Sequence, residues 1–259
     1  MKAAKAPWVI LVAAVLLFLF VPAFLVVLFS FNASDSTSTF SGFSTQWYTK
    51  VFTTEEYTRA LENSAVAAVW TALFDVLAGS AAAFGMVRMP RRWLTIFSSV
   101  YLIPIMVPGL LIGVALLVFF SELDIKLSMF TVIVGHILIT LPLVILVVGA
   151  RLERLDLSVM DAARDLGAGA FTAFRRILLP MIAPALAASA LLAVAWSLDE
   201  FIITLFTNGG TPTVPVLIFT LLRRGLDPSV NVVATLLLAA TTILGLIAAR
   251  FVSVRDLSR

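Results

Sequence analysis

The 259-residue chain contains no cysteine and a single histidine, His136. Disulfides and thiolate metal sites are therefore excluded. One imidazole cannot build a zinc or iron centre alone, so no metal site is expected. Charge is also scarce. Asp, Glu, Lys and Arg make up 13% of the residues, about half the ~25% of a soluble domain. No GxxxxGK[ST] run occurs, so ATP and Mg are expected on a separate polypeptide and no cofactor on this chain. No internal repeat stands out. The basic residues are spread along short loops, and the net charge is only +3. Neither feature points to nucleic acid.

What fills the chain instead is apolar: 61% of the residues are hydrophobic. A spanning helix needs about 20 mostly apolar residues. Six stretches qualify, at about Trp8–Phe31, Ala60–Phe84, Leu94–Phe120, Leu127–Ala150, Met181–Phe206 and Val230–Phe251. The second carries Glu62, Asn63 and Asp75. The third contains Pro104 and Pro108, which are expected to kink it, and Gly109 and Gly113, a G-x-x-x-G spacing that allows close helix contact. The first run is too long for a cleaved signal sequence and is read as an uncleaved helix.

Orientation follows from lysine and arginine. With the N-terminus in the cytoplasm, 13 of them fall in inner segments, and 5 fall outside: Lys50, Arg59, Lys126, Arg223 and Arg224. Both termini are therefore expected inside a six-helix, all-α membrane domain spanning residues 1–259. Residues 207–229 hold an apolar run too short to span, expected as a short helix near the outer surface.

One inner segment is unusual. "DAARDLGAGAFTAFRRILLP", residues 161–180, puts five charges between two apolar spans. Asp161 suits a helix start. Gly167 and Gly169 turn the chain. Phe171, Phe174, Ile177 and Leu178 follow at helical spacing and predict one apolar stripe, and Pro180 is expected to break the pattern before the next span. An apolar face outside the membrane calls for a partner, or for the surface of the inner leaflet.

This stretch resembles the EAA loop of ABC importer permeases, pattern EAA-x3-G-x9-I-x-LP. Asp161 stands where the pattern has Glu, and Ala162, Ala163, Gly167, Ile177, Leu179 and Pro180 match it. The resemblance implies a type I importer permease fold in a bacterial inner membrane. It implies coupling helices, here with Phe174 on their apolar side, that dock on a cytoplasmic ATPase and pass its motion to the spans. It further implies a second homologous permease, two ATPase copies and an external substrate-binding protein. Residues 197–238 are similar to the second permease subunit of spermidine/putrescine importers, with Pro228, Val230, Asn231, Ala234 and Thr235 in a matching pattern. Permeases for ferric iron, sulfate and phosphonates share the architecture and stand as alternatives. A secondary transporter or an intramembrane enzyme is the rival of another class, but no inverted repeat or catalytic pairing supports it.

Independently of resemblance, Asp199 and Glu200 lie about seven residues from the outer end of the fifth apolar stretch, roughly 10 Å deep at 1.5 Å per residue. Carboxylates at depth face a cavity or a partner. Trp196 precedes Glu200 by one turn and Thr204 follows it by one. Carboxylates and an aromatic face suit ammonium cargo. These four residues form a candidate substrate path. Asp75 either lines it or pairs with another group. His136 is read as a packed, hydrogen-bonded residue.

Overall fold

The computed structural model describes residues 6–36, 39–225 and 228–251. Lys2, Lys5, Arg255 and Arg259, four of the inner basic residues, lie outside them. Among the described residues the chain is helical, with one isolated bridge between Asn32 and Phe43. In order the helices are α1 (Ala6–Ser30), α2 (Gln46–Thr53), α3 (Glu55–Val87), α4 (Arg91–Met106), α5 (Gly109–Glu122), α6 (Met129–Glu153), α7 (Ser158–Asp165), α8 (Ala170–Ala173), α9 (Leu179–Asp199), α10 (Ile202–Thr207), α11 (Val214–Arg224) and α12 (Ser229–Phe251). A π turn, Phe174–Leu178, joins α8 to α9. Five stretches are long and apolar enough to cross a membrane, and the α4–α5 pair makes a sixth if counted as one broken span.

Two of the expected spans differ in shape. The third is broken rather than kinked: α4 and α5 meet at 98°. Pro104 is absorbed inside α4. Pro108 comes just before α5, and Val107 before it is extended (φ −83°, ψ 132°). A residue preceding proline is pushed out of the helical region, so the break falls there. The fifth is also broken, after Asp199, where Glu200 is extended (φ −71°, ψ 110°) before α10 begins. At its other end this span starts earlier than expected. The helix runs from Ala170 through Pro180 without a stop. Proline has no N–H for the usual bond four residues back, and the π turn immediately before α9 takes up the mismatch. The short helix expected within residues 207–229 is α11.

The described residues form two compact units. One contains residues up to Arg59 together with Leu217–Ala239. Its loop after α1 is organised by Asn32, which is fully buried. The Asn32 amide donates to the carbonyls of Ser36 (3.0 Å) and Thr39 (2.8 Å), and its side-chain oxygen accepts from the Ser41 N–H. Trp47 Nε1 donates to the Asn32 carbonyl at 3.0 Å. Tyr57 and Ser229 share a buried hydroxyl–hydroxyl bond of 2.7 Å. None of the most apolar stretch of α1 is buried within the chain, which leaves that surface to lipid or to another subunit.

The other unit holds Ala60–Val216 and Ala240 onward. α6 is its centre, packed against α4, α9 and α10. Glycines set the closest approaches. A Cβ at Gly79 on α3 would come within 2.8 Å of Val144 on α6, and one at Gly135 on α6 within 2.5 Å of Ile203 on α10. The Gly109/Gly113 pair faces α10: a Cβ at Gly113 would come within 2.8 Å of Phe206. The spacing thus serves close helix packing, as small residues do where lipid supplies no hydrophobic drive.

Candidate functional site

Two places collect the residues singled out by sequence: the segment between α6 and α9, and the break between α9 and α10.

The first begins at Asp156, whose side chain accepts the Ser158 N–H at 3.0 Å. Hydrogen bonds from the Ser158 side chain and then from its N–H hold the Asp156 carboxyl below the ordinary carboxylate range, and the N–H bond satisfies a free donor at the start of α7. α7 opens three residues before Asp161, which falls in its first turn. Asp161 is exposed and pairs with Arg164 at 3.3 Å, a surface contact that adds little stability.

The helix ends in a Schellman motif. The Gly167 N–H donates to the Arg164 carbonyl and the Ala168 N–H to that of Ala163, each at 2.9 Å. Gly167 has φ +87°, a left-handed conformation that glycine adopts without penalty. Ala163 is buried in a cluster with Met160, Ala173 and Leu178. Its small size is what lets α7 lie against α8 and the π turn. Ala162 and Pro180 are exposed, and Leu179 is half-buried.

The expected apolar stripe divides in two. Leu178 is buried and Ile177 packs beside it, whereas Phe171 is 73% exposed and Phe174 40%. The extra residue of the π turn rotates the phenylalanines away from the side that Ile177 and Leu178 face. Leu166, 90% exposed, joins the outward set. The outward apolar group is therefore Leu166, Phe171 and Phe174.

At the break, the acidic pair separates by role. Glu200 turns back, and its Oε1 accepts the Ile203 N–H at 2.9 Å. A carboxylate at that position satisfies a free donor of α10 and suits the positive end of the helix. Asp199 is exposed, with Trp196 exposed three residues before it on the same helical face.

Thr204 is fully buried and donates to the Glu200 carbonyl at 3.1 Å. It also meets His136 Nε2 at 2.7 Å, while His136 Nδ1 meets Ser197 Oγ at 2.7 Å. Asp75 is likewise fully buried and is hydrogen-bonded to Thr140, whose hydroxyl also lies 2.8 Å from the His136 carbonyl. Among the described residues, no hydrogen bond or ion pair joins Asp75 to Asp199 or Glu200. Of the four residues of the candidate path, the structure leaves Asp199 and Trp196 facing outward together. Thr204 and Asp75 face inward, and Glu200 caps a helix.

Ser197 carried no signal in the sequence. Gly135 is one glycine among thirteen, and only the fold reveals which of them marks a close approach.

Residues 75–255 match the family described as "Binding-protein-dependent transport system inner membrane component". The chain belongs to this family. It is a transport component of the bacterial inner membrane, the permease subunit of an ABC importer. The permease is 32% identical over 232 residues to the spermidine/putrescine transport system permease protein PotC of Escherichia coli (strain K12), covering 89% of this chain and 88% of that protein. It is 34% identical over 253 residues to the putrescine transport system permease protein PotI of the same strain, covering 94% and 90%. Among solved structures, a chain of a bacterial ABC transporter involved in import of the acidic polysaccharide alginate superposes with TM-score 0.73 at 14% identity, over 96% of each chain. A chain of the MetNI methionine ABC transporter superposes with TM-score 0.62 at 16% identity, over 78% of this permease and 96% of that chain. At those identities the structures speak for the fold alone.

Proposed function

We propose that this permease carries polyamines of the spermidine/putrescine class. The observation that carries the reading is the 32–34% identity, over about nine-tenths of the chain, to PotC and PotI. The chemistry at the break supports it. An exposed carboxylate beside an exposed indole, at the C-terminal and therefore electronegative end of α9, attracts ammonium groups. Anionic cargo would be repelled there.

In this reading the chain pairs with a second permease, receives cargo from an external binding protein and is driven by two ATPase copies that bind ATP and Mg. Leu166, Phe171 and Phe174, with Asp161 and Ala162 beside them, meet the ATPase. Ala163, Gly167, Ile177, Leu179 and Pro180 hold that surface to the spans. ATP binding moves the short helices and opens the path outward, and hydrolysis by the ATPase resets it.

The test is ATP hydrolysis by the complete transporter in proteoliposomes, with its binding protein present. Spermidine or putrescine should stimulate hydrolysis severalfold, whereas ferric iron, sulfate and phosphonate should leave it at the basal rate. Stimulation by one of the latter alone would replace the polyamine assignment.

The reading also places both termini and residues 151–180 in the cytoplasm. Because the native chain lacks cysteine, single replacements report sidedness cleanly. Thr45 and Thr172 are both exposed. A cysteine at Thr45 should react with an impermeant maleimide in intact cells, and one at Thr172 only after the membrane is opened. The reverse pattern would overturn the orientation. Ser229, in the outer segment by the same count, is unsuitable because it is buried against Tyr57.

A further inference from the structure

A helix broken inside a bilayer leaves polar backbone groups that water does not reach, so a break persists only where neighbouring protein recaptures them. In this permease one side chain spans the break. His136 is fully buried on α6. Nδ1 contacts Ser197 in the last turn of α9, and Nε2 contacts Thr204 in the first turn of α10, each at 2.7 Å. Asp199 lies between those two anchors in the chain.

The Thr204 hydroxyl has one proton and lies 3.1 Å from the Glu200 carbonyl. The tautomer that keeps this bond has Nε2–H donating to Thr204 Oγ1 and Nδ1 accepting from the Ser197 hydroxyl. The opposite tautomer would strip the Glu200 carbonyl of this bond. The ring thus links Ser197, Thr204 and the backbone of the broken residue in one continuous series.

α6 is shaped for the purpose. Gly135 brings its backbone against Ile203, and Thr131 donates to the Thr207 carbonyl at 2.7 Å. α10 is therefore held from α6 at both ends.

We propose that His136 is a positioning residue for cargo passage. It fixes the angle between α9 and α10 and so holds Asp199 and Trp196 where an ammonium group meets them. The proposal rests on the polyamine reading for its functional readout, but the pin itself is tested without cargo.

The experiment uses Ser197→Ala, Thr204→Val, the double variant and His136→Phe in the complete transporter. Amide hydrogen exchange of Phe201–Ile203, measured without cargo, reports the pin. Polyamine uptake, resolved into half-saturating concentration and maximal rate, reports positioning. Losing one buried hydrogen bond corresponds to about a tenfold change. Each single variant should speed exchange at the break about tenfold and raise the half-saturating concentration by a similar factor. Because either loss frees one half-helix from the other, the double variant should be no worse than the single ones, and His136→Phe should match them.

Multiplying effects in the double variant would show two independent bonds and overturn the pin. So would unchanged exchange in both single variants, which are mild enough to fold even if His136→Phe is not. Unchanged half-saturation with only lowered thermal stability would reduce His136 to a packing residue and overturn positioning. Faster exchange in variants of a wild-type transporter that moves no polyamine would leave the pin standing and remove the cargo reading instead.

Discussion

Asp199→Asn should lower polyamine uptake about ten- to a hundredfold while basal ATP hydrolysis continues. Hydrogen bonds to a charged group contribute roughly 1.5–3 kcal/mol, and at about 1.4 kcal/mol per factor of ten that sets the range. The amide preserves size and position, so the loss is electrostatic. Glu200→Gln should behave differently. Its side-chain oxygen still accepts the Ile203 N–H that Glu200 holds at 2.9 Å, and uptake should fall less than about threefold, less than the loss of one hydrogen bond. Glu200→Leu, which removes the cap, should cost about 1 kcal/mol of stability and read out first as a lower melting temperature. Full uptake by Asp199→Asn would take this residue out of the path. Equal losses in Asp199→Asn and Glu200→Gln would mean that both carboxylates meet cargo, contrary to the separation seen at the break.

Gly167→Val should abolish uptake without preventing insertion. A Cβ at Gly167 would meet no atom within 4 Å, so crowding is not the cause. The cause is φ +87°. Non-glycine residues held in such a conformation cost about 1–3 kcal/mol, and a β-branched one is a genuine outlier. The Schellman bonds from Gly167 and Ala168 then fail, and α7 leaves its seat on Ala173 and Leu178. Gly167→Asn, which tolerates the left-handed region, should retain most activity. Uptake by proteoliposomes at matched protein levels decides the matter. A fully active Gly167→Val transporter would show that the turn does not carry motion.

Much of this architecture was legible because membranes leave few choices. Six apolar stretches could only be spans or pieces of spans. The 161–180 segment was legible for a different reason: it resembles a known loop, and two of the matching positions are ones a tight turn requires. Gly167 is the left-handed residue, and Ala163 is both a hydrogen-bond acceptor in the turn and the small residue at the packing contact. The breaks were less legible. Pro108 marks the first, but nothing in proline chemistry specifies 98°. The second has no mark at all. "SLDEFII" contains neither glycine nor proline. The helix stops there because Glu200 captures a nearby N–H and because His136, 61 residues before Ser197, secures both sides. Such a stop is a tertiary event. Residue type marked Thr204 as a path candidate and left Asp75 between lining the path and pairing. Their burial and their partners, His136 and Thr140, are visible only in the fold.

The π turn at Phe174–Leu178 gives the helix between Ala170 and Asp199 a mechanical character. A π turn holds an extra residue, and each residue of a helix advances its phase by about 100°. The rod is thus wound out of step with itself near one end. Phe171 and Phe174 keep one timing, and Leu178 and α9 keep another. In the proposed coupling, a push on the phenylalanines would enter through a wider turn than the rod beyond it. It would reach α9 as torsion as well as thrust. The joint would then act as a fixed gear between the proposed docking surface and the span that ends at the acidic pair.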